Sequence, residues 1–421
     1  MVTIYHLGLG GREHISQPGE WMVERESPMR VGPGTTSSTG SNSYYRPELD
    51  ALRFFAFLCV FSFHRMDYVP TDPVHNPWLF RIGNVGPFGV PVFFLLSAFL
   101  ITELLLRERE RTGRIHIKAF YMRRILRIWP LYFVAFFGLT LLNCFVPGVG
   151  TADPLAWLAF TFFAGNWYIL HHGWIAGSVD PLWSISVEEQ FYIVIPVLAA
   201  FAGRRAVAIV SYLLLALAYV MVLLYALHPT SGDNGEWTNS FVQFQFFCAG
   251  TLIALLLRGR LVRLPVPMRV VGFLLGFGCW FTALLRFKVQ SWEPHPTPVG
   301  AVLGWFLVLA GAVIFFLSAL GTPSRFIPRW LSYLGRISYG LYLVHSLIFF
   351  LTFVRAVPYL RRLFPGLVLP TAIRDCVWTV VVLALSIAIA SLSFHYFERP
   401  FLRLKKRFTF VAAREEVAPS A

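Results

Sequence analysis

Charge is the scarcest commodity in this chain. Only 14% of its 421 residues are charged, against roughly a quarter in a soluble domain, so it lacks the polar surface to dissolve. Acidic residues are the scarcer kind, 22 against 36 Lys and Arg, for a net charge of +14. The positives sit in short segments between apolar runs and not on one basic face, which argues against a nucleic-acid partner. The five cysteines (Cys59, Cys144, Cys248, Cys279, Cys376) are scattered through apolar runs without metal-ligand spacing. They read as small buried hydrophobes, not as a disulfide framework. His171-His172 has no matching set of further ligands, so no metal is expected there. No internal repeat of the kind many transporters carry is visible.

Apolar runs are what the chain has in abundance. Hydrophobic residues make up 56%, and several runs approach the ~20 residues needed to cross a bilayer core. Runs of that length must be helices, because only a helix satisfies all its own backbone groups in hydrocarbon. The expected fold class is therefore all-α, a polytopic integral-membrane bundle. Eleven runs lie near 51–69, 86–106, 128–146, 154–170, 187–202, 206–227, 239–257, 268–287, 299–320, 338–357 and 372–396. The Arg-rich stretch 107–127 belongs on the cytoplasmic side by the positive-inside rule, and so does the loop holding Arg204 and Arg205. An odd number of crossings must then separate residues 147 and 203. The run 154–170 is followed by a stretch without Lys or Arg, so it is read as interfacial or re-entrant and 187–202 as the span. Ten crossings result, with both termini cytoplasmic and 28 of the 36 basic residues inside; Arg361 and Arg362 fall outside. Residues 1–46, polar and without a signal-peptide core, read as a disordered cytoplasmic tail. The membrane domain is expected over 47–407, with a second cytoplasmic tail at 408–421.

Polar residues inside such a bundle are costly and usually functional. Arg53 and His64 are eleven residues apart, three turns plus about 20°, so they share one stripe ~16 Å apart along the helix. That suits a channel through the bilayer; the alternative is a snorkelling Arg and a His hydrogen-bonded in the bundle. Arg123, Arg124 and Arg127 lie on adjacent faces of the next basic stretch, either as ordinary anchoring or as guanidinium forks for a phosphate-bearing donor. The motif Trp183-Ser-Ile-Ser-Val-Glu-Glu-Gln-Phe-Tyr192 opens a spanning helix. It places Glu188 and Tyr192 on one face, Glu189 about 100° round, and both acids at roughly the depth of His64. Ser338, Tyr342 and His345 recur at i, i+4, i+7 as a polar stripe that bundle hydrogen bonding explains as well as chemistry does.

Together RPELDALRFFAFLCVFSFH, VPVFFLLSAFLIT, FYMRRILRIWPLY, LWSISVEEQFY, LGRISYGLYLVHS and SFHYFERPFLRL resemble, in order over about 46–407, the bacterial integral-membrane acyltransferase family 3 of sugar and macrolide O-acyltransferases. The resemblance implies that the Arg-ten-residues-His signature falls on Arg53 and His64, the basic motif on Arg123, Arg124 and Arg127, and the acidic motif on Glu188 and Glu189. Ala98 departs from the family's usual Gly, a change that tightens helix packing or narrows the channel. The implied activity is transfer of an acyl group, with acetyl expected and succinyl or longer chains open, from cytoplasmic acyl-CoA to a carbohydrate hydroxyl at the inner (plasma) membrane. On this reading the three arginines hold the donor phosphates. His64 is the general base, or forms an acyl-His intermediate, with Glu188 holding its imidazole and Arg53 beside the path. Tyr192, Tyr342, His345 and Glu189 contact substrate. The rival readings are a transporter or flippase of a lipid-linked glycan, which would consume no thioester, and a structural envelope component.

Overall fold

The computed structural model describes residues 45–69, 77–175, 177–228, 235–260, 262–289, 296–364 and 371–409. The expected tail over 1–44, and residues 410–421, lie outside that set. Every regular element in the described residues is helical, and nine helical stretches are long and apolar enough to cross a membrane.

The long helices are α1 (Pro47–Tyr68), α2 (Gly89–Thr112), α3 (Ile117–Asn143), α4 (Trp183–Phe201), α5 (Gly203–Leu227), α6 (Ser240–Leu257), α7 (Val266–Leu285), α8 (Pro298–Ala319), α9 (Ser338–Phe350) and α10 (Thr371–Leu392). The first of these, 22 residues long, stands outside the nine because it carries Glu48, Asp50, Arg53, Arg65 and Asp67. Ionisable residues in such a helix are costly and usually face a polar cavity or a partner. Pro47 opens it at a position where the missing N–H costs nothing, and α2 ends on Gly113 in the left-handed region, the usual helix stop.

Water does not drive helices together in lipid, so close packing has to. A Cβ on Gly250 of α6 would strike the carbonyl of Leu95 on α2, and the next nearest atom is the Cβ of Ala98. Ala98 is fully buried in that contact and is not among the side chains lining either cavity described below. The methyl group thus tightens the α2–α6 seam and leaves the channel width alone. The outer faces of α5 and α7 carry the exposed Leu213, Val220, Val271 and Leu274, an apolar surface that only lipid or a partner would cover.

Residues 154–170 form two eight-residue helices, Pro154–Thr161 and Gly165–His172, each about 12 Å long and too short to cross. Irregular backbone at membrane depth needs protein partners, and the break between them has several. The Gln190 amide donates to the carbonyl of Phe163 at 2.9 Å and to Asn166 Oδ1 at 2.9 Å. Asn166 donates in turn to the Thr238 carbonyl at 3.0 Å and Ser240 Oγ at 2.9 Å, and Tyr132 Oη donates to the Phe160 carbonyl at 2.7 Å. The non-crossing segment is thereby stitched to α3, α4 and α6.

Candidate active site

Among the described residues, two neighbouring cavities share the side chains of Val90 and Tyr342. One, of about 140 Å³, is cationic. It is lined by Arg53 from α1, Ser97 from α2, Arg124 and Arg127 from α3, Glu188 and Tyr192 from α4, and Ser338 and Tyr342 from α9. The other, of about 380 Å³, holds His64, Asp67 and Tyr68 from the end of α1, Asn84, Asp180, Ser346, and the indoles of Trp174, Trp183 and Trp237.

In the cationic cavity the arginines come from positions 124 and 127 of one helix, spaced to share a face. Arg124 lies 5.9 Å over the Tyr192 ring and 5.8 Å over that of Phe120, and its Nε has no hydrogen-bond partner among the described residues. Tyr192 Oη and Ser97 Oγ are 2.5 Å apart, and both lie within hydrogen-bonding reach of Glu188, which also feels the charges of Arg124 and Arg53. Arg53 is held at 2.6 Å by Asp50 one turn earlier. The short helix Arg399–Lys405 lies alongside and carries Lys405 into the field of Arg124, Arg127, Arg123 and Arg53. Cations gathered out of bulk water repel one another, so the arrangement is complementary to a multiply charged anion.

The second cavity centres on His64. Its Nδ1 lies 3.2 Å from Asp67 Oδ2, three residues on along the same helix. A carboxylate at Nδ1 fixes the proton there and leaves Nε2 as the basic nitrogen. The far side of the imidazole packs on His345, with ring centroids 5.1 Å apart. Where the two cavities meet, Tyr342 Oη is 2.8 Å from Ser184 Oγ and donates to the Pro181 carbonyl at 3.1 Å.

The structure gathers Arg53, Arg124, Arg127, Glu188, Tyr192 and Tyr342 around one cavity and sets four expected residues elsewhere. Arg123 is buried away from it, donating to Glu108 Oε2 at 2.7 Å and to the Phe408 carbonyl at 2.7 Å; it ties α2, α3 and the C-terminal helix together. Glu189 turns toward α3, where it accepts from Trp129 Nε1 at 3.1 Å. His345 is fully buried, with Nδ1 2.7 Å from the Tyr342 carbonyl, and backs His64 without lining either cavity. His64 itself does not meet Glu188. The reading that Glu188 holds the imidazole is corrected to Asp67, and the reason lies in where the acidic helix begins. A 3-10 turn, Asp180–Leu182, precedes α4, so the residue that reaches the depth of His64 is Asp180. Glu188 falls about 12 Å further along the axis, beyond Tyr342.

The cavities also hold Asp67, Asp180, Ser97, Ser184, Trp174, Trp183 and Trp237, with Lys405 alongside, which helical spacing of the arginines, His64 and Glu188 does not single out. Asp67 carried a legible signal, an acid at i+3 from a membrane histidine. Lys405 sits in a Leu-Lys-Lys-Arg run that looks like ordinary anchoring. Among the described residues no group of three or more His, Cys, Asp or Glu could hold a metal ion.

The family model described as an acyltransferase domain matches residues 46–394, and the chain belongs to that family. The cavities and their arginines, histidine and acids all lie within the matched span. YrhL of Bacillus subtilis, provisionally named a peptidoglycan O-acetyltransferase, is 27% identical over 386 residues, 85% of this chain and 55% of that protein. The O-acetyltransferase OatA of Staphylococcus aureus is 26% identical over 318 residues, 72% of this chain and 50% of that protein. The chain thus spans about half the length of the curated relatives it matches. No solved structure matches it.

Proposed function

We propose that this chain is a membrane O-acyltransferase that moves an acyl group, by the relatives' names acetyl, from cytoplasmic acyl-CoA to a hydroxyl of a cell-envelope or exported carbohydrate. The observation that carries the reading is the junction at Tyr342, where a cation-lined cavity suited to a phosphate-bearing donor adjoins a cavity holding a His–Asp pair. The topology that goes with it has ten crossings of the inner membrane and both termini in the cytoplasm. On that topology the cationic cavity lies on the cytoplasmic half and the His64 cavity on the outer half.

The donor phosphates are bound by Arg124 and Arg127, with Arg53 and Lys405 adding charge, since guanidinium forks match phosphate oxygens bidentately. The thioester end extends past Glu188 and Tyr192 toward Tyr342. The acceptor hydroxyl, in the His64 cavity, loses its proton to His64 Nε2 as its oxygen attacks the thioester carbonyl. Asp67 stabilises the imidazolium that forms. Collapse breaks the C–S bond, and the thiolate leaves with the proton returned by His64, so that ester and free thiol are the products. The Tyr342 hydroxyl, released from the Pro181 carbonyl, donates to the oxyanion. Attack by His64 itself, giving an acyl-imidazole that the hydroxyl then cleaves, uses the same groups.

The test is thioester consumption by protein in lipid nanodiscs, with labelled acetyl-CoA and a free-thiol readout, comparing wild type with His64→Ala. Thiol release by wild type and none by the variant is the expected result. Two in-line cavities also suit passage of a whole substrate, and a flippase would move its glycan without consuming either acetyl-CoA or succinyl-CoA; that outcome would replace the transferase reading.

A further inference from the structure

The His64 cavity has a chemical character of its own. The indoles of Trp174 and Trp183 lie with ring centroids 6.3 Å apart at 83°, and Trp183 and Trp237 at 6.2 Å and 57°, so the three form a continuous aromatic wall. Trp237 is backed by Trp305 at 5.5 Å, which holds that wall in place. Asp67 and Asp180 face the same space, with the Asn84 amide and Ser346 nearby. Asp180 Oδ1 accepts from the Ile175 amide at 2.9 Å, and this is the one hydrogen bond its carboxylate makes with the described residues. Among the described residues, no Lys or Arg lines the cavity. At about 380 Å³ the cavity is within the ~300–1,000 Å³ of small-ligand sites.

We infer that this cavity is the acceptor site and that it selects an uncharged pyranoside, rejecting sugars that carry a carboxylate or phosphate. The C–H faces of a pyranose ring carry partial positive charge and meet the electron-rich faces of indoles. Its hydroxyls are donors, and the carboxyl oxygens of Asp67 and Asp180 have spare lone pairs to accept them. An anionic sugar would set its charge against the Asp67 and Asp180 carboxyl oxygens, with no Lys or Arg among the described lining side chains to offset it, and like charges a few ångströms apart repel strongly. The opposite sign rules the other cavity, so donor and acceptor are sorted by charge. Naming the occupant an acceptor rests on the acyl-transfer reading; the sugar selectivity does not.

Saturation-transfer NMR on the full-length chain in nanodiscs, with no thioester present, tests this. The probes are methyl β-glucopyranoside, methyl β-N-acetylglucosaminide and methyl β-glucuronide. The neutral glycosides are expected to receive saturation at their ring C–H protons, with the glucuronide at least tenfold weaker. Trp237→Leu should reduce the neutral signal several-fold, and the near-isosteric Asp180→Asn should bring the glucuronide closer to the neutral pair. Thermal unfolding of each variant confirms that it is folded. No saturation of either neutral glycoside, equal binding of the glucuronide, or wild-type behaviour in folded Asp180→Asn would each overturn the inference. Selective glycoside binding without thioester consumption would retain the sugar site and remove the transferase reading. Thioester consumption without selective binding would do the reverse.

Discussion

The cavity around Arg124 is walled by arginines from two helices, with Lys405 alongside, whereas the cavity around His64 holds two aspartates, three indoles and, among the described residues, no Lys or Arg. They differ in sign although they share the Val90 and Tyr342 side chains as a common wall. A bundle meant only to anchor itself would have no use for that separation, because buried charge in a membrane is costly wherever it sits. The difference shows how one helical bundle can present opposite electrostatic faces to two reactants and bring them together at a single point. It also gives the charges of α1 a setting: this helix reaches both cavities, as α2, α4 and α9 do, with Arg53 at one and His64 at the other.

The comparison can be broken most severely at His64. His64→Ala is expected to lower acyl transfer by about 10²–10⁴-fold, the usual worth of a general base, while the protein remains folded by size-exclusion chromatography. Removing Arg124 and Arg127 together should act on the other side only. The loss of two charge-assisted contacts at ~1.5–3 kcal/mol each predicts a donor KM raised at least about 100-fold, with glycoside binding by NMR unaltered. If glycoside binding fell as far as donor binding, the two cavities would not be separate sites. Asp67→Asn keeps shape but removes the negative charge at His64 Nδ1. A drop in turnover of about 10–100-fold is expected, read as kcat with donor KM unchanged; a change confined to donor KM would place Asp67 on the wrong side of Tyr342. Tyr342→Phe removes one hydroxyl from the shared wall and should cost about tenfold in kcat, less than the ~10²–10³-fold of a dedicated oxyanion-hole donor, because the hydroxyl must first leave the Pro181 carbonyl. The smallest effect on chemistry is expected from Gly250→Val at the α2–α6 seam. Overpacking there destabilises by about 1–3 kcal/mol, seen as a lower thermal midpoint, and activity per folded molecule should persist.

Much of this arrangement was legible from residue order because membrane physics leaves few choices. Apolar runs near 20 residues must be helices; the lack of Lys and Arg after 154–170 set that segment apart from the spans, and it forms two eight-residue helices. The 3.6-residue period put Arg53 and His64 on one stripe and Glu188 beneath Tyr192. The same period was blind to which of two neighbouring residues faces a cavity when both neighbours are polar. Arg123 and Arg124 differ by one position. The first became an ion pair with Glu108 and the second a cavity wall, because Glu108 comes from a different helix and only packing places it. Glu189 and Glu188 divided in the same way, one claimed by Trp129.

What the sequence determined by itself is the solvent, the secondary structure and the chemical inventory: a lipid-embedded helical chain with cations, a histidine and acids at fixed helical spacing. Those follow from hydropathy and the local geometry of a single helix, which involve no distant partner. Tertiary structure alone decided that Glu188 sits at a different cavity from His64, that Lys405 arrives beside the arginines, and that Trp174, Trp183 and Trp237 gather into one wall. Each of these depends on where separate helices begin and how deeply they sit against one another. A turn as small as Asp180–Leu182 sets such depths through close packing, and no local spacing rule encodes them.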